Sequence, residues 1–209
     1  MDPNLSQLLQ WSVANSTAPG ETVLASNGKD EITSKAINAL FGGPSDADLM
    51  MEAMNIIISS DPSIALEDKI VAFDNLEQLI ENLDNANNLA PLALWTPLLG
   101  CLSHKESELR RMAAWCIGTA VQNNVACQEI LVANTGLAKL AQLAVGKDEE
   151  KSVRRKAIYA LSSACRNHQP AMNILICELE NLGRGAGPID ATDMDACDLL
   201  FGALREEVL

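Results

Sequence analysis

The sequence VRRKAIYALSSACRNHQ at residues 153–169 is an apolar helical run that ends at Asn167. Two earlier runs of the same kind end at Asn82 and Asn123, so the three endings lie 41 and 44 residues apart. Helical repeats of this length are typical of armadillo and HEAT units. One such unit cannot bury its apolar face alone, so successive units stack into a superhelix with an extended concave surface. The spacing therefore predicts an all-α, armadillo-like helical repeat superhelix, an architecture that binds other proteins.

The composition of the 209-residue chain supports this fold and limits the partners. Hydrophobic residues make up 48% and aromatic residues only 3%, which suits packed helices better than half-buried strands. A formal net charge of −13 argues against nucleic acid as a partner, because binding to phosphates requires Lys and Arg. Anionic membranes are disfavoured for the same reason. The first residues lack a basic and apolar leader, and the uncharged, apolar stretch at residues 89–103 is too short to span a bilayer. We therefore expect a cytoplasmic protein.

The charge is distributed unevenly along the chain. Residues 103–175 carry +4, whereas residues 1–66, 67–102 and 176–209 carry −6, −5 and −6. A basic middle could meet an acidic partner surface, with electrostatics guiding orientation and association rate. The alternative is that these charges belong to ordinary solvated helix faces. The candidate cations for partner binding are Arg110, Arg111, Arg154, Arg155 and Arg166.

Residue types that support metal binding or catalysis are few. The six cysteines form no C-x-x-C pair and lie mostly in apolar helical runs, which predicts buried thiols. The only histidines, His104 and His168, are far apart in sequence, so we expect no metal site and no cofactor. The sequence contains no P-loop, nucleophile elbow, H-E-x-x-H motif or dinucleotide-binding fingerprint. We predict that the protein is not an enzyme.

Breaker residues and apolar periodicity divide the chain into six segments. Proline and glycine with little apolar content indicate a linker, and glycine-rich sequence after residue 182 indicates a break between helices. The patterns Ser103-x-x-Glu106 and Thr192-x-x-Asp195 predict capping boxes at two helix starts. The predicted segments are a short mobile amino-terminal segment (1–16), a flexible linker (17–30), capping helices (31–62), armadillo-like repeats (63–182), a glycine-rich break (183–191) and a carboxy-terminal capping helix (192–209).

An asparagine-rich turn, NLDNANN at residues 82–88, follows the first long apolar run. Four asparagines in seven residues lower the helix propensity of this segment. Two interpretations stay open. Either the side chains satisfy the turn's own backbone, or they present amides to a partner.

Several strings together resemble one protein family: LLQWSVANS (8–16), LFGGPSDADLMMEAM (40–54), IVAFDNLEQLIENLDNANN (70–88), IGTAVQNN (117–124) and VRRKAIYALSSACRNHQ (153–169). In this order they resemble the fungal Fes-type nucleotide-exchange factors, which are relatives of the animal Hsp-binding proteins that act on seventy-kilodalton heat-shock chaperones. The resemblance covers most of residues 1–175. It is specific, because generic armadillo repeats lack the ENLDNANN and LLQWSVANS strings.

The resemblance implies a co-chaperone that embraces one lobe of the chaperone's nucleotide-binding domain, speeds ADP release and promotes client release. It implies that the segment 8–16 helps to free the client, with Leu8, Leu9 and Trp11 as its apolar residues. We expect a monomer that binds the chaperone through the long repeat helices and the asparagine-rich turn. The predicted partner-binding residues are Asn82, Asn85, Ala86, Asn87, Asn88, Asn123, Asn124 and Asn167, together with the five arginines named above.

A competing function is a peptide-binding adaptor of the nuclear-import kind, which also uses armadillo repeats. Such adaptors carry a Trp, and an Asn four residues later, on successive long helices. Here the aligned pairs are Asp74 with Gln78, Trp115 with Thr119, and Tyr159 with Ser163. The ladder is therefore missing from the sequence. A passive scaffold stays open as a third function. Longer members of the Fes-type family continue with another full repeat, whereas this sequence has the glycine-rich break at Gly183.

Overall fold

The computed structural model describes residues 43–185 and 187–208. From Asp46 onward they belong to one compact unit. The described part contains ten α-helices and no strand, which confirms the predicted all-α, armadillo-like fold. The helices are α1 (Asp46–Ile58), α2 (Leu66–Ile80), α3 (Leu83–Asn88), α4 (Trp95–Cys101), α5 (Ser107–Val121), α6 (Val125–Ala133), α7 (Gly136–Val145), α8 (Lys151–Cys165), α9 (Gln169–Asn181) and α10 (Met194–Glu206).

The predictions for the first 42 residues lie outside the described residues. They include the mobile segment 1–16, the linker 17–30 and the first part of the capping region 31–62. The client-release residues Leu8, Leu9 and Trp11 fall in this part of the chain.

The repeat consists of one long helix followed by two shorter ones. The long helices α2, α5 and α8 each have 15 residues and begin at residues 66, 107 and 151. These starts are 41 and 44 residues apart, which confirms the spacing predicted from the sequence. Helices α3 and α4 follow α2, and helices α6 and α7 follow α5. Each of these two repeats therefore contains the three helices of an armadillo unit.

The three asparagines that mark the repeat lie two residues beyond the ends of α2, α5 and α8. Asn123 and Asn167 adopt left-handed backbone conformations with φ of 53° and 58°, which asparagine tolerates better than most residues. The links after α5 and α8 contain three residues, but the link after α2 contains only two. As a result, Asn82 is itself the N-cap of α3, whereas Asn124 and His168 cap α6 and α9.

Small residues allow the long helices to pack closely. Ala72, Ala113 and Ala157 occupy equivalent positions and are all buried, as expected from the sequence. The most extensive interhelical contact joins α5 to α8. Gly118 lies at this contact, where a Cβ atom would be 2.4 Å from Tyr159 Cε1. Real Cβ atoms do not approach other atoms this closely, so a larger residue at position 118 would force the Tyr159 ring to move.

The two predicted capping boxes are wrong. Helix α5 begins with Glu106 as its N-cap, and the Glu106 N–H donates to Nδ1 of His104 rather than taking part in a box with Ser103. Helix α10 is capped by Asp193, whose carboxylate accepts from Ala196 N at 3.0 Å. In both places the N-cap is a residue nearer the helix than predicted, and only Asp193 forms a side-chain capping bond.

The glycine-rich segment after α9 is not helical in its described residues. Gly183 has a φ of 75°, and the next residue, Arg184, donates its N–H to Leu179 O at 2.7 Å. Gly183 N donates to Glu180 O at 2.9 Å, which completes a Schellman motif. The motif ends α9 because glycine adopts the left-handed conformation without a Cβ clash.

All six cysteines lie in the described part of the chain and are free thiols. Five are buried, as predicted, but Cys177 on α9 is exposed and departs from the prediction. Burial raises the pKa of the Cys127 thiol to about 11.

A bidentate ion pair joins the start of α5 to the loop before α8. Arg110 Nε and Nη2 donate to the two carboxylate oxygens of Glu149, each at 2.7 Å. Arg110 Nη1 also donates to the main-chain oxygens of His104 and Lys105. Burial acts to raise the pKa of Glu149, but hydrogen bonds from Arg110 and from Glu150 N outweigh it and hold that pKa below its ordinary value. We call this pair the Arg110–Glu149 clamp.

The clamp predicts a pH-dependent stability. Because the native pKa of Glu149 is lowered, this side chain stabilises the fold at pH values above its unfolded-state pKa of about 4.3. The stabilisation is lost as pH falls through the native pKa. Glu149→Gln should lower the free energy of unfolding at neutral pH by about 1–3 kcal/mol. In urea titrations, the free energies of unfolding of the variant and the unsubstituted protein should become more alike in acid. Glu180→Gln, at an exposed site, is the control. A difference that stays constant with pH would contradict the prediction.

Candidate functional site

The solvent-facing side of the three long helices carries equivalent residues from each repeat, and we call it the long-helix face. Asp74, Trp115 and Tyr159 share one position in α2, α5 and α8. Gln78, Thr119 and Ser163 share the position one turn later. All six are exposed or half-buried.

An aromatic and cationic cluster occupies the part of this face between α5 and α8. The Lys156 ammonium lies 3.5 Å from the centre of the Trp115 ring and 5.6 Å from that of Tyr159. Tyr159 donates its hydroxyl to Gln122 Oε1 at 3.2 Å. Burial lowers the pKa of Lys156, and the charge of Arg111 lowers it further. The cation–π contact holds Lys156 across the two repeats.

The α2 end of the face carries carboxylates. Glu77 is buried, and its Oε1 accepts from Thr119 Oγ1 at 2.6 Å. The exposed Asp74 accepts from Gln78 Nε2 at 3.1 Å. The long-helix face therefore changes from carboxylates on α2 to the cations Arg111, Arg155 and Lys156 on α5 and α8.

The asparagine-rich turn contains α3, and two of its amides satisfy nearby groups of the fold. Asn82 Oδ1 accepts from Asp84 N at 2.8 Å and from Asn85 N at 3.4 Å. Asn85 is buried, and its Nδ2 donates to Asp46 Oδ2 at 2.8 Å and to Leu79 O at 3.0 Å. Asn82 and Asn85 therefore follow the first interpretation, because their side chains satisfy groups of the fold itself.

The turn is also tied to the next repeat. Asn124 Nδ2 donates to Asn87 Oδ1 at 3.0 Å, while Asn124 Oδ1 caps α6 by accepting from Cys127 N. The Cys127 thiol donates to Ala86 O at 3.4 Å. Ala86 is only 2% exposed, so its side chain does not reach solvent as we would expect of a predicted partner-binding residue. Its methyl group packs in the core because α3 lies against α5 and α6.

Other predicted residues of this region reach solvent. Asn82, Asn87, Asn123 and Asn167 are exposed, and Asn88 is half-buried. The first residues of α3 and α6, Leu83 and Val125, are each 57% exposed. The sequence interpretation missed these two apolar residues, although each follows a capping asparagine and so could have been identified.

The five predicted cations do not form one free basic patch. Arg110 belongs to the clamp with Glu149, and Arg111 pairs with Glu108 at 2.7 Å. Arg154 is buried and donates to Ala144 O and Glu207 O. Arg166 pairs with Asp198 on α10 at 2.6 Å. Arg155 is exposed and has no ion pair within the described residues.

The aromatic and cationic cluster was not among the predicted site residues. The sequence places Trp115 and Tyr159 44 residues apart, which is the repeat spacing, so their common face could have been inferred. The position of Lys156 beside the two rings depends on the close packing of α5 and α8, so it could not be inferred from the sequence.

Within residues 43–185 and 187–208, no three His, Cys, Asp or Glu side chains converge as a metal site would require. None of their helices combines the length and the apolar character needed to cross a bilayer.

Family comparisons agree with this architecture along most of the chain. The profile described as "Nucleotide exchange factor Fes1" matches residues 5–89, and that of the "SIL1/FES1/HPBP1 C-terminal domain" matches residues 85–177. A protein of Gibberella zeae named Hsp70 nucleotide exchange factor FES1 is 53% identical over 208 residues, which is 99% of this chain and 98% of the relative. The chain belongs to the Fes1 family of nucleotide exchange factors.

Other members of the Fes1 family differ in length. The Neurospora crassa relative, Hsp70 nucleotide exchange factor fes-1, is 42% identical and is covered over 98% of its length. The Saccharomyces cerevisiae relative is 47% identical over 169 residues, which is 79% of this chain but 57% of the relative. The crystal structure of an engineered protein matches with a TM-score of 0.54, 15% identity, and coverage of 83% of this chain and 70% of that one. This last likeness concerns the fold alone.

The burial of Ala86 gives a direct test of the position of the asparagine-rich turn. Ala86→Arg should destabilise the fold by more than about 3 kcal/mol, because a long charged side chain must enter a packed core. Leu83→Arg in the same helix should change stability by less than about 0.5 kcal/mol, since Leu83 is exposed. Chemical unfolding followed by circular dichroism compares the two. Equal midpoints for Ala86→Arg and the unsubstituted protein would show that the turn lies elsewhere.

Proposed function

We propose that this Fes1-family chain binds the nucleotide-binding domain of an Hsp70 chaperone, accelerates ADP release and promotes client release. The observation that carries the proposal is end-to-end similarity, at 53% identity, to a protein named as an Hsp70 nucleotide exchange factor. The helical repeat fold supports it, because stacked repeats provide an extended surface for another protein.

The mechanism that we propose is thermodynamic linkage and includes no covalent step. A protein that binds the open, ADP-poor chaperone more tightly than the ADP-bound form must weaken ADP binding by the same factor. A hundredfold effect needs only about 2.7 kcal/mol of differential binding. The direct test is the release of a fluorescent ADP analogue from purified Hsp70 after addition of the chain. Binding without faster release would favour a scaffold instead.

The contact surface that we propose is the long-helix face together with the exposed residues of the asparagine-rich turn. Its carboxylates on α2 and its cations on α5 and α8 would orient a partner with the opposite order of charges. Arg111 of this face pairs with Glu108, whereas Arg155 and Lys156 form no ion pair within the described residues, so we assign these two cations the leading part in binding. We further propose that the active form is a monomer in the cytoplasm.

Arg155→Glu tests this surface. The substitution reverses an exposed charge. It should slow the second-order association with Hsp70, which precedes ADP release, about tenfold at low salt. Raising the ionic strength should shrink the difference, because exposed charges are screened beyond about 8 Å at physiological salt. Arg205→Glu makes the same charge change on α10 and is the control. Stopped-flow rates that are equal for both variants at every salt concentration would remove Arg155 from the contact.

The amino-terminal residues 1–16 have a separate proposed role in client release. A tethered segment with Leu8, Leu9 and Trp11 could enter an apolar peptide site once the repeats have docked, because the linker raises its effective concentration. Deleting residues 1–16 should leave ADP release nearly intact but slow the release of a bound client peptide. Fluorescence anisotropy of a labelled peptide measures this step. A truncated protein that melts several degrees lower yet frees the peptide normally would indicate that Trp11 only stabilises the fold.

A further inference from the structure

At the start of each long helix, a side chain accepts the main-chain N–H of the N-cap residue. Asp68 Oδ2 accepts it at 3.1 Å in α2, and Glu149 Oε1 accepts it at 2.8 Å in α8. In α5 the N-cap is Glu106, whose N–H donates to His104 Nδ1 at 3.0 Å. Satisfying this N–H helps to fix the point at which a helix begins. An imidazole therefore serves the middle long helix where carboxylates serve the other two.

Only the neutral form of His104 can make this bond. Neutral imidazole has one donor and one acceptor nitrogen, whereas both nitrogens of the imidazolium ion are donors. Histidine has an unperturbed pKa of about 6.5 and changes charge between about pH 5 and 8, whereas carboxylates keep their acceptor oxygens in that range. Mild acid therefore removes the acceptor at the start of α5 but not at the starts of α2 and α8.

The bond between residues 104 and 106 has the spacing of an Asx turn, in which a side chain accepts the N–H two residues later. Asp and Asn are the usual acceptors in such turns. They take this part elsewhere in the described residues, at Asp61, Asn82 and Asp190, each with a distance of 2.8 Å. His104 thus occupies a place that this fold otherwise gives to Asp or Asn, and an asparagine there would supply an acceptor that does not titrate.

The charged groups around His104 come from several elements. They are Asp61 from the loop before α2, Lys69 from α2, Lys105 and Glu106 from its own loop, and Arg110 from α5, which donates to His104 O and is clamped by Glu149. Burial lowers the pKa of His104, and the charge of Lys69 lowers it further, while Glu106 acts in the opposite direction. Lys105 and Arg110 also lower it. The positive end of the α5 dipole disfavours a cation at this place as well.

We propose that His104 is a pH-sensitive switch at the start of α5. In the neutral state its Nδ1 accepts the Glu106 N–H and holds the beginning of the helix. In the protonated state the Glu106 N–H loses its acceptor, a cation stands at the positive end of the helix, and the first turn of α5 loosens. Because α5 packs against both α2 and α8 and carries Arg111 and Trp115, the switch acts on the middle of the long-helix face.

The direction of the pH effect follows from the native environment of His104. Because folding lowers its pKa, the folded chain binds this proton less readily than the unfolded chain does. The neutral side chain therefore stabilises the fold fully above its unfolded-state pKa of about 6.5, and the stabilisation is lost as pH falls from that value through the native pKa. This loss begins at a higher pH than the loss at Glu149.

Nuclear magnetic resonance of the full-length, unsubstituted chain tests the switch directly. The imidazole signals of His104 should titrate with a midpoint below about 6.5. The hydrogen-exchange protection factor of the Glu106 amide should fall with the same midpoint, because protonation removes its acceptor. The Glu150 amide, which a carboxylate accepts, should keep its protection over this range. Protection of the Glu106 amide that does not change as His104 titrates overturns the proposal.

His104→Asn is the matched variant, because asparagine keeps the acceptor and removes the titration. From about pH 8 to about pH 5, the equilibrium constant for urea unfolding should rise about fivefold more for the unsubstituted chain than for His104→Asn, as expected for one lost hydrogen bond. The chain has two histidines, so His168→Asn is the control and should keep the contribution of His104. An equal pH dependence for His104→Asn and the unsubstituted chain overturns the assignment.

Discussion

The close packing of α5 against α8 is the constraint on which the rest of the structure depends. Gly118 fits this contact, because a Cβ atom there would force the Tyr159 ring to move. This packing brings Lys156 over the Trp115 ring, and Arg110 reaches Glu149 across the two repeats. In a repeat protein each unit contacts only its neighbours, so stability is approximately a sum over such interfaces. The same interface builds both the core and the most distinctive part of the long-helix face.

Polar residues in this chain divide between the framework and the solvent, and the division does not follow residue type. Asn85 and Asn124 hold neighbouring helices together, whereas Asn123 and Asn167 reach solvent in left-handed links. Arg154 is buried against main-chain oxygens, while the adjacent Arg155 is exposed. Adjacent residues on a helix point in directions about 100° apart, so one belongs to the interior and the next to the surface. The contact surface that we propose therefore uses exposed residues such as Arg155 rather than residues engaged in the framework.

The sequence was sufficient to predict the helical repeat, because apolar periodicity and the positions of Ala72, Ala113 and Ala157 are local properties that recur at the repeat spacing. It was not sufficient for the candidate site. The burial of Ala86 and the pairing of Asn87 with Asn124 depend on contacts between residues 37 to 41 positions apart. The role of Asn82 as a cap depends on a link that is one residue shorter than its counterparts. The pairing of Arg166 with Asp198 joins α8 to a helix outside the repeat pattern.

The distribution of thiols has a practical consequence for experiments on this protein. The thiolate is the form that reacts with alkylating reagents, and burial disfavours it, as the raised pKa of Cys127 illustrates. Cys177 is the single exposed cysteine of the six. A maleimide dye should therefore attach at one position on α9 of the folded, unsubstituted chain. Such a label provides a fluorescent reporter for association measurements without any engineered cysteine.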